Sequence, residues 1–222
     1  MSETALQPMS AQLSDHWRWR TDWAVDRPYL LWYFTFEEQP ELAQWAGRAQ
    51  EFLRLVTTLD VVPPQWLHLT FADVGFVDEM PPDQVDDVVN AARVALVGWT
   101  GLSITLGPVT TMDDAVVLGA RDTPELRQLR DRIQAATASV LAPRALAEFV
   151  EFWPHVTLAY VNGDCERRDV LEPLGSMATD QFTVAVSRVT LAAVTRRDRH
   201  YQWTTRDVVP ASRSSTDAPV RR

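Results

Sequence analysis

Trp66-Leu67-His68-Leu69-Thr70 and, a little under ninety residues later, Trp153-Pro154-His155-Val156-Thr157 are the two stretches on which the fold of this chain turns. Both follow the pattern Trp-x-His-x-Thr, and both lie in short apolar runs with the composition of a buried strand. Side chains alternate between the faces of a strand. His68 and Thr70 are therefore expected to share a face with Trp66, opposite Leu67, Leu69 and Phe71, and His155 and Thr157 to share one with Trp153. An imidazole and a hydroxyl one strand period apart, roughly 7 Å between Cα atoms, both reach a single tetrahedral anion. The chain has only four histidines, so two such matches arise by chance in only about a few per cent of comparable sequences.

Outward from each copy the same order of elements recurs. Residues 29–36 read as a buried strand, and Leu42, Trp45, Ala46, Ala49, Phe52, Leu53 and Val56 follow at helical spacing after Pro40. Residues 66–72 are the first motif's strand, and Val85, Val88, Val89, Ala92 and Leu96 mark a second helix after Pro81-Pro82. In the second half, residues 102–106 and 115–118 read as strands joined through Met112-Asp113-Asp114, and Thr123 caps a helix that starts with Pro124. Residues 154–160 are the second motif's strand, and residues 182–194 pair with 201–208 as a closing hairpin. The expectation is an α+β chain of two similar halves with no long linker. A partly ordered amino-terminal extension covers residues 1–27 and a single bilobal domain residues 28–209. Residues 210–222, mostly Ser, Pro, Asp and Arg, form a mobile tail.

A length of 222 residues suits one large domain or two fused lobes, and 46% hydrophobic with 23% charged residues is an ordinary globular balance. All 21 basic residues are arginine, most simply through genomic bias. The absence of lysine removes Walker A nucleotide binding, pyridoxal Schiff bases and adenylyl-lysine ligation. A net charge of -9 argues against a long duplex nucleic acid as partner and leaves room for a small anionic ligand. The single Cys165 forms neither an internal disulfide nor a cysteine-rich zinc site and reads as an incidental thiol in a reducing cytosol. With no signal-like start and no long apolar run, the expected location is cytoplasmic, away from membranes.

The two motifs resemble those of the 2H phosphoesterase superfamily, most closely its LigT-like or 2′-5′ RNA ligase branch. The resemblance rests on His68-Leu69-Thr70-Phe71, running on to Val74-Gly75 where the family's first motif often runs on to Leu-Gly, and on Pro154-His155-Val156-Thr157-Leu158. It spans residues 29–208. It implies a bilobal α+β fold, with helices outside and two antiparallel sheets facing each other across a pseudo-twofold cleft, one His-x-Thr from each lobe. It also implies an active site without metal or other cofactor. The implied enzyme is a cyclic phosphodiesterase or RNA 2′,5′-ligase acting on RNA ends or small nucleotides. Many members of the branch carry an arginine five residues after the second histidine. Here that position is Tyr160, as in some cyclic-phosphodiesterase relatives.

The chemistry also follows from the residues. Opening a 2′,3′-cyclic phosphodiester needs a base for the attacking water and an acid for the departing ribose oxygen, on opposite sides of one phosphorus. Two histidines supply both near neutral pH, and hydroxyls can donate to the non-bridging oxygens. His68, His155, Thr70 and Thr157 are thus the catalytic candidates, with base and acid unassigned between the histidines. Trp66, Trp153 and Tyr160 are substrate-binding candidates. The indoles can stack on a base, packing being the alternative, and Tyr160 falls on the wrong face unless the strand bulges. The run Arg196-Arg197-Asp198-Arg199-His200 reads as a solvated turn or as a guide for an RNA end, and His16 as structural or exposed. A second function class is a non-catalytic nucleotide or RNA-end sensor using the same cleft.

Overall fold

Prolines open the helices and the alternating runs become strands in the computed structural model, which describes residues 11–18, 23–141 and 152–212. In chain order the strands and α-helices are β1 (Gln12–Leu13), β2 (Tyr29–Thr35), α1 (Pro40–Leu53), β3 (Leu59–Val61), β4 (His68–Phe76), α2 (Pro82–Ala95), β5 (Leu102–Thr111) and β6 (Ala115–Ala120). They continue with α3 (Pro124–Val140), β7 (His155–Val161), β8 (Cys165–Glu166), α4 (Arg167–Leu171), β9 (Phe182–Val186), β10 (Arg188–Arg197) and β11 (His200–Pro210). A proline occupies the first turn of α1, α2 and α3, where its missing N–H leaves no helical bond unmade. Thr123 Oγ1 caps α3 by accepting from the Leu126 N–H at 3.2 Å.

Among the described residues the sheets are β11-β10-β2-β4, β3-β7-β6-β5-β9 and the small pair β1-β8, with every pairing antiparallel. The two motif strands, β4 and β7, approach each other between the two main sheets. The helices cross over. α1 follows β2 in sequence yet packs on β3 and β7, and α3 follows β6 yet packs on β4. There the fully buried Trp32 of β2 donates its indole N–H to Thr137 Oγ1 of α3 at 3.1 Å. Each main sheet thus buries its outer face against a helix from the other half, which interlocks the lobes and leaves the inner faces for the cleft.

Residues 182–194, expected as one strand, are two. β9 pairs with β5 in one sheet, and β10 pairs with β2 and β11 in the other. The alternation continues through the corner at Ser187, so periodicity does not reveal it; the Ser187 carbonyl accepts from the Ala211 N–H at 2.7 Å. Trp66 stands in a 3-10 turn, Pro64–Trp66, instead of on a strand, because Pro63 and Pro64 cannot donate to a ladder. Residues 11–18 lie against the body. β1 pairs with β8, the Ser14 N–H donates to the Asp113 carbonyl at 2.8 Å, and a 3-10 turn, His16–Arg18, follows. Residues 1–10 and 19–22 of the expected extension, the loop around Pro143, and 213–222 of the expected tail lie outside the described residues. Among the described residues no helix is long and apolar enough to cross a membrane.

Candidate active site

Both motif strands bulge three residues after their histidine. On β4, Thr70 is opposite Tyr33 but Ala72 is opposite Trp32, so Phe71 is the extra residue. On β7, Thr157 is opposite Val117 but Ala159 is opposite Val116, so Leu158 is extra. A bulge inverts the alternation beyond it. The residue five after each histidine therefore returns to the histidine's face, and Asp73 and Tyr160 line the cleft beside His68, Thr70, His155 and Thr157. A second bulge in β4 skips Val74, and Gly75 there adopts φ 147°, a conformation that disfavours a side chain.

The two histidines are held in the same way. His68 Nδ1 lies 2.8 Å from the Trp66 carbonyl, and His155 Nδ1 lies 2.8 Å from the Trp153 carbonyl. A carbonyl only accepts, so each Nδ1 carries the proton and donates. That leaves Nε2 of the neutral ring as an acceptor on the cleft side. His68 is buried, stacked 4.2 Å from Tyr33 and edge-on to Trp203 at 5.3 Å. Burial lowers its pKa from 6.5 to about 4, opposed by the Trp66 carbonyl and reinforced by His155. His155 is half-buried. Burial lowers its pKa too, while the Trp153 carbonyl and Asp114 pull it upward. The threonines are each matched with a tyrosine, since the hydroxyl of Tyr33 interacts with Thr70 and that of Tyr160 with Thr157. Burial holds both phenols well above their usual pKa, so both remain O–H donors.

All four tyrosines and three of the four histidines line this cavity of ≈ 280 Å³, the size of a small-molecule site. His16, read from sequence as structural or exposed, is buried in its wall. Its Nδ1 donates to Asp114 Oδ2 at 2.7 Å, Nε2 lies 2.9 Å from the Tyr201 hydroxyl, and its ring lies 4.3 Å from that of Tyr160. The sequence reading missed Asp73, Asp114, Tyr33, Tyr201 and Arg130 of α3, all on the cleft wall. The five-residue spacing that singled out Tyr160 would also have picked Asp73; the others come from distant parts of the chain.

The two tryptophans part company. Trp153 is 39% exposed and lines the cleft, its ring 6.2 Å from that of His155. Trp66 packs edge-on against Trp203 at 4.8 Å, outside the cleft lining, and so backs the wall that holds His68. The arginines at the β10-β11 turn tie down neighbouring segments. Arg196 donates to the carbonyls of Trp23 and Trp17 at 3.2 and 3.3 Å, Arg197 pairs with Asp26 at 2.8 Å, and Arg199 reaches Asp60 at 3.4 Å. Among the described residues no group of three or more His, Cys, Asp and Glu side chains could hold a metal ion.

Solved structures share this architecture. TT0787 of Thermus thermophilus matches with a TM-score of 0.64 at 16% identity, over 82% of this chain and 97% of that one. E. coli LigT complexed with 3'-AMP matches at 0.62 and 17%, over 85% and 100%, and a structure described as a phosphoesterase at 0.60 and 18%, over 84% and 99%. At such identities the likeness shows a common fold. No curated protein matches in sequence. The sequence profile of the 2'-5' RNA ligase superfamily, however, matches residues 39–198, a span that includes both His-x-Thr motifs, and the chain belongs to that superfamily.

Proposed function

We propose that this protein is a phosphodiesterase that opens 2′,3′-cyclic phosphates on RNA ends or small nucleotides, with 2′,5′ joining as the parallel ring opening when an RNA 5′-hydroxyl replaces water. One observation carries the reading. Two imidazoles, each with Nδ1 bonded to a backbone carbonyl, present Nε2 to one cleft that also holds both motif threonines. Water attacks phosphorus and gives its proton to one Nε2. The P–O3′ bond breaks, and the other Nε2–H protonates the departing O3′, leaving a 2′-phosphate. Thr70 and Thr157 donate to the non-bridging oxygens as charge builds there.

Burial distinguishes the two rings. His68 is buried and stays neutral down to about pH 4, whereas His155 is more open and, although burial lowers its pKa as well, lies where Asp114 favours its charged form. On that ground His68 is taken as the base and His155 as the acid of hydrolysis. No step requires a metal ion. The structures of E. coli LigT with 3'-AMP, ATP and NADP+ add support, since those nucleotides are the class of ligand proposed here.

The test is incubation with nucleoside 2′,3′-cyclic phosphates and a short RNA ending in one, in the presence of a chelator, resolving 2′- from 3′-phosphate products. A 2′-phosphate product lost in both His68→Ala and His155→Ala supports the reading. Nucleotide binding without turnover would replace it with a sensor, and turnover abolished by the chelator would overturn the metal-free scheme.

A further inference from the structure

We propose that Arg130 forms a second anion subsite at the α3 edge of the cleft, so that the preferred substrate carries a phosphate in addition to the cyclic one. This rests on the phosphodiesterase reading and narrows its substrate to a nucleotide or RNA end phosphorylated on the 5′ side of the terminal nucleoside.

Among the described residues Arg130 is the one arginine that lines the cleft. Its side chain is 13% exposed, and its guanidinium lies over the Phe152 ring at 4.6 Å. The face of an aromatic ring holds a cation in place without neutralising it. The buried Nε has no hydrogen-bond partner, and the nearest ion-pair contact is a long 3.7 Å one to the exposed Asp131. Burial outweighs the surrounding charges, with attraction from Asp131 opposed by repulsion from Arg127 and attraction from Asp73 the weakest influence. A partly buried guanidinium whose Nε lacks a partner is completed by an anion, and the planar fork of arginine suits two phosphate oxygens.

The position selects which phosphate. Arg130 is not among the groups that perturb His68 or His155, but it does sense Asp73, five residues along β4 from His68. Phe152 beneath it leads through Trp153 to His155, a connection of at most roughly 10 Å. In this proposal the guanidinium meets a phosphate across the bound nucleoside from the reacting phosphorus. The shared ligand chemistry is a phosphate on the 5′ oxygen, either as a terminal monoester or as the internucleotide link of an RNA end.

The experiment compares kcat/KM for adenosine 2′,3′-cyclic phosphate, the same compound with a 5′-phosphate, and a diadenosine dinucleotide ending in the cyclic phosphate. The wild type is expected to favour one or both phosphorylated forms at least tenfold, and Arg130→Gln to bring that ratio close to one. A preference for the monoester alone identifies a nucleotide substrate, and one shared by the dinucleotide an RNA end. A wild-type ratio near one, or a ratio unchanged in Arg130→Gln, overturns the subsite. Arg130→Lys, which keeps the charge without the fork, covers failure of the glutamine variant to fold and is expected to retain only part of the ratio. If none of the three is turned over, the phosphodiesterase reading fails separately. Calorimetric binding of adenosine 2′-phosphate against adenosine 2′,5′-bisphosphate, in wild type and Arg130→Gln, then decides the subsite by the same ratio.

Discussion

Acidification is expected to unfold this protein in part through one residue, His68. Its imidazole is 8% exposed and stacked against Tyr33, and desolvation there lowers its pKa from 6.5 to about 4. A group with a folded pKa below its unfolded one takes up protons more readily in the unfolded chain. Its contribution to stability is complete above pH 6.5, falls as the pH drops from there towards 4, and levels off below. The whole interval is worth roughly 3 kcal/mol, of which about 2 kcal/mol is already lost near pH 5. The assay is urea unfolding near pH 7 and near pH 5, in wild type and His68→Asn, with the denaturant slope checked for constancy.

The asparagine variant loses packing at both pH values, and other groups that titrate in this range titrate in both proteins. The difference between the two pH dependences therefore isolates His68. The variant is expected to lose about 2 kcal/mol less than wild type between the two conditions. Parallel pH dependences would refute the reasoning. They would mean that His68 accepts a proton in the folded state as easily as in the unfolded chain. The assignment of His68 as the base, which depends on its staying neutral, would fall with it.

Three further outcomes follow from the cleft. The pH profile of kcat/KM is expected to be bell-shaped with its maximum below 6.5, its limbs set by the lowered pKa values of His68, about 4, and of His155; a rate still rising above neutrality would show that the two lowered pKa values do not govern turnover. Tyr160→Phe keeps the ring against His16 and removes the hydroxyl that interacts with Thr157. It is expected to reduce kcat about tenfold with little change in unfolding midpoint, the scale of one hydrogen bond, and an unchanged kcat would show that Tyr160 does not orient Thr157. Trp66→Ala is expected to destabilise the protein by about 2 kcal/mol or more, because Trp66 packs against Trp203. Trp153→Ala, at an exposed position, is expected to change stability by less than about 1 kcal/mol and to raise KM instead, and the opposite order in denaturation and kinetics would exchange their roles.

The sequence is most legible where a local rule acts without competition. Pro40, Pro82 and Pro124 open helices because a proline N–H is not missed in the first turn, and Thr123 caps α3 as its side-chain chemistry predicts. The motif strands follow from alternation and composition. What stayed hidden depends on surfaces that only the assembled sheets create. Nothing in residues 40–53 says that α1 crosses to β3 and β7, and nothing in residues 182–197 says that the chain changes sheets at Ser187. His16, Asp114 and Tyr201 meet through contacts across most of the chain's length, with no shared motif to announce them.

The bulges lie between these cases. Strict alternation from His155 sends Tyr160 away from the cleft, and from His68 it does the same to Asp73. One extra residue after each threonine, Leu158 and Phe71, reverses both. The reversal occurs at the same step in both halves, so it belongs to the way each lobe presents its motif. Each strand offers the histidine, the residue two after it and the residue five after it to the cleft, and β4 adds its bulge residue Phe71. At the fifth residue after the histidine the two lobes diverge, with the phenol of Tyr160 in one and the side chain of Asp73 in the other. The two halves thus match at the paired histidines and threonines and differ at the fifth residue after each histidine. Differences among proteins with this pair of motifs are accordingly expected at the fifth residue after each histidine and on the α3 edge, where Arg130 stands.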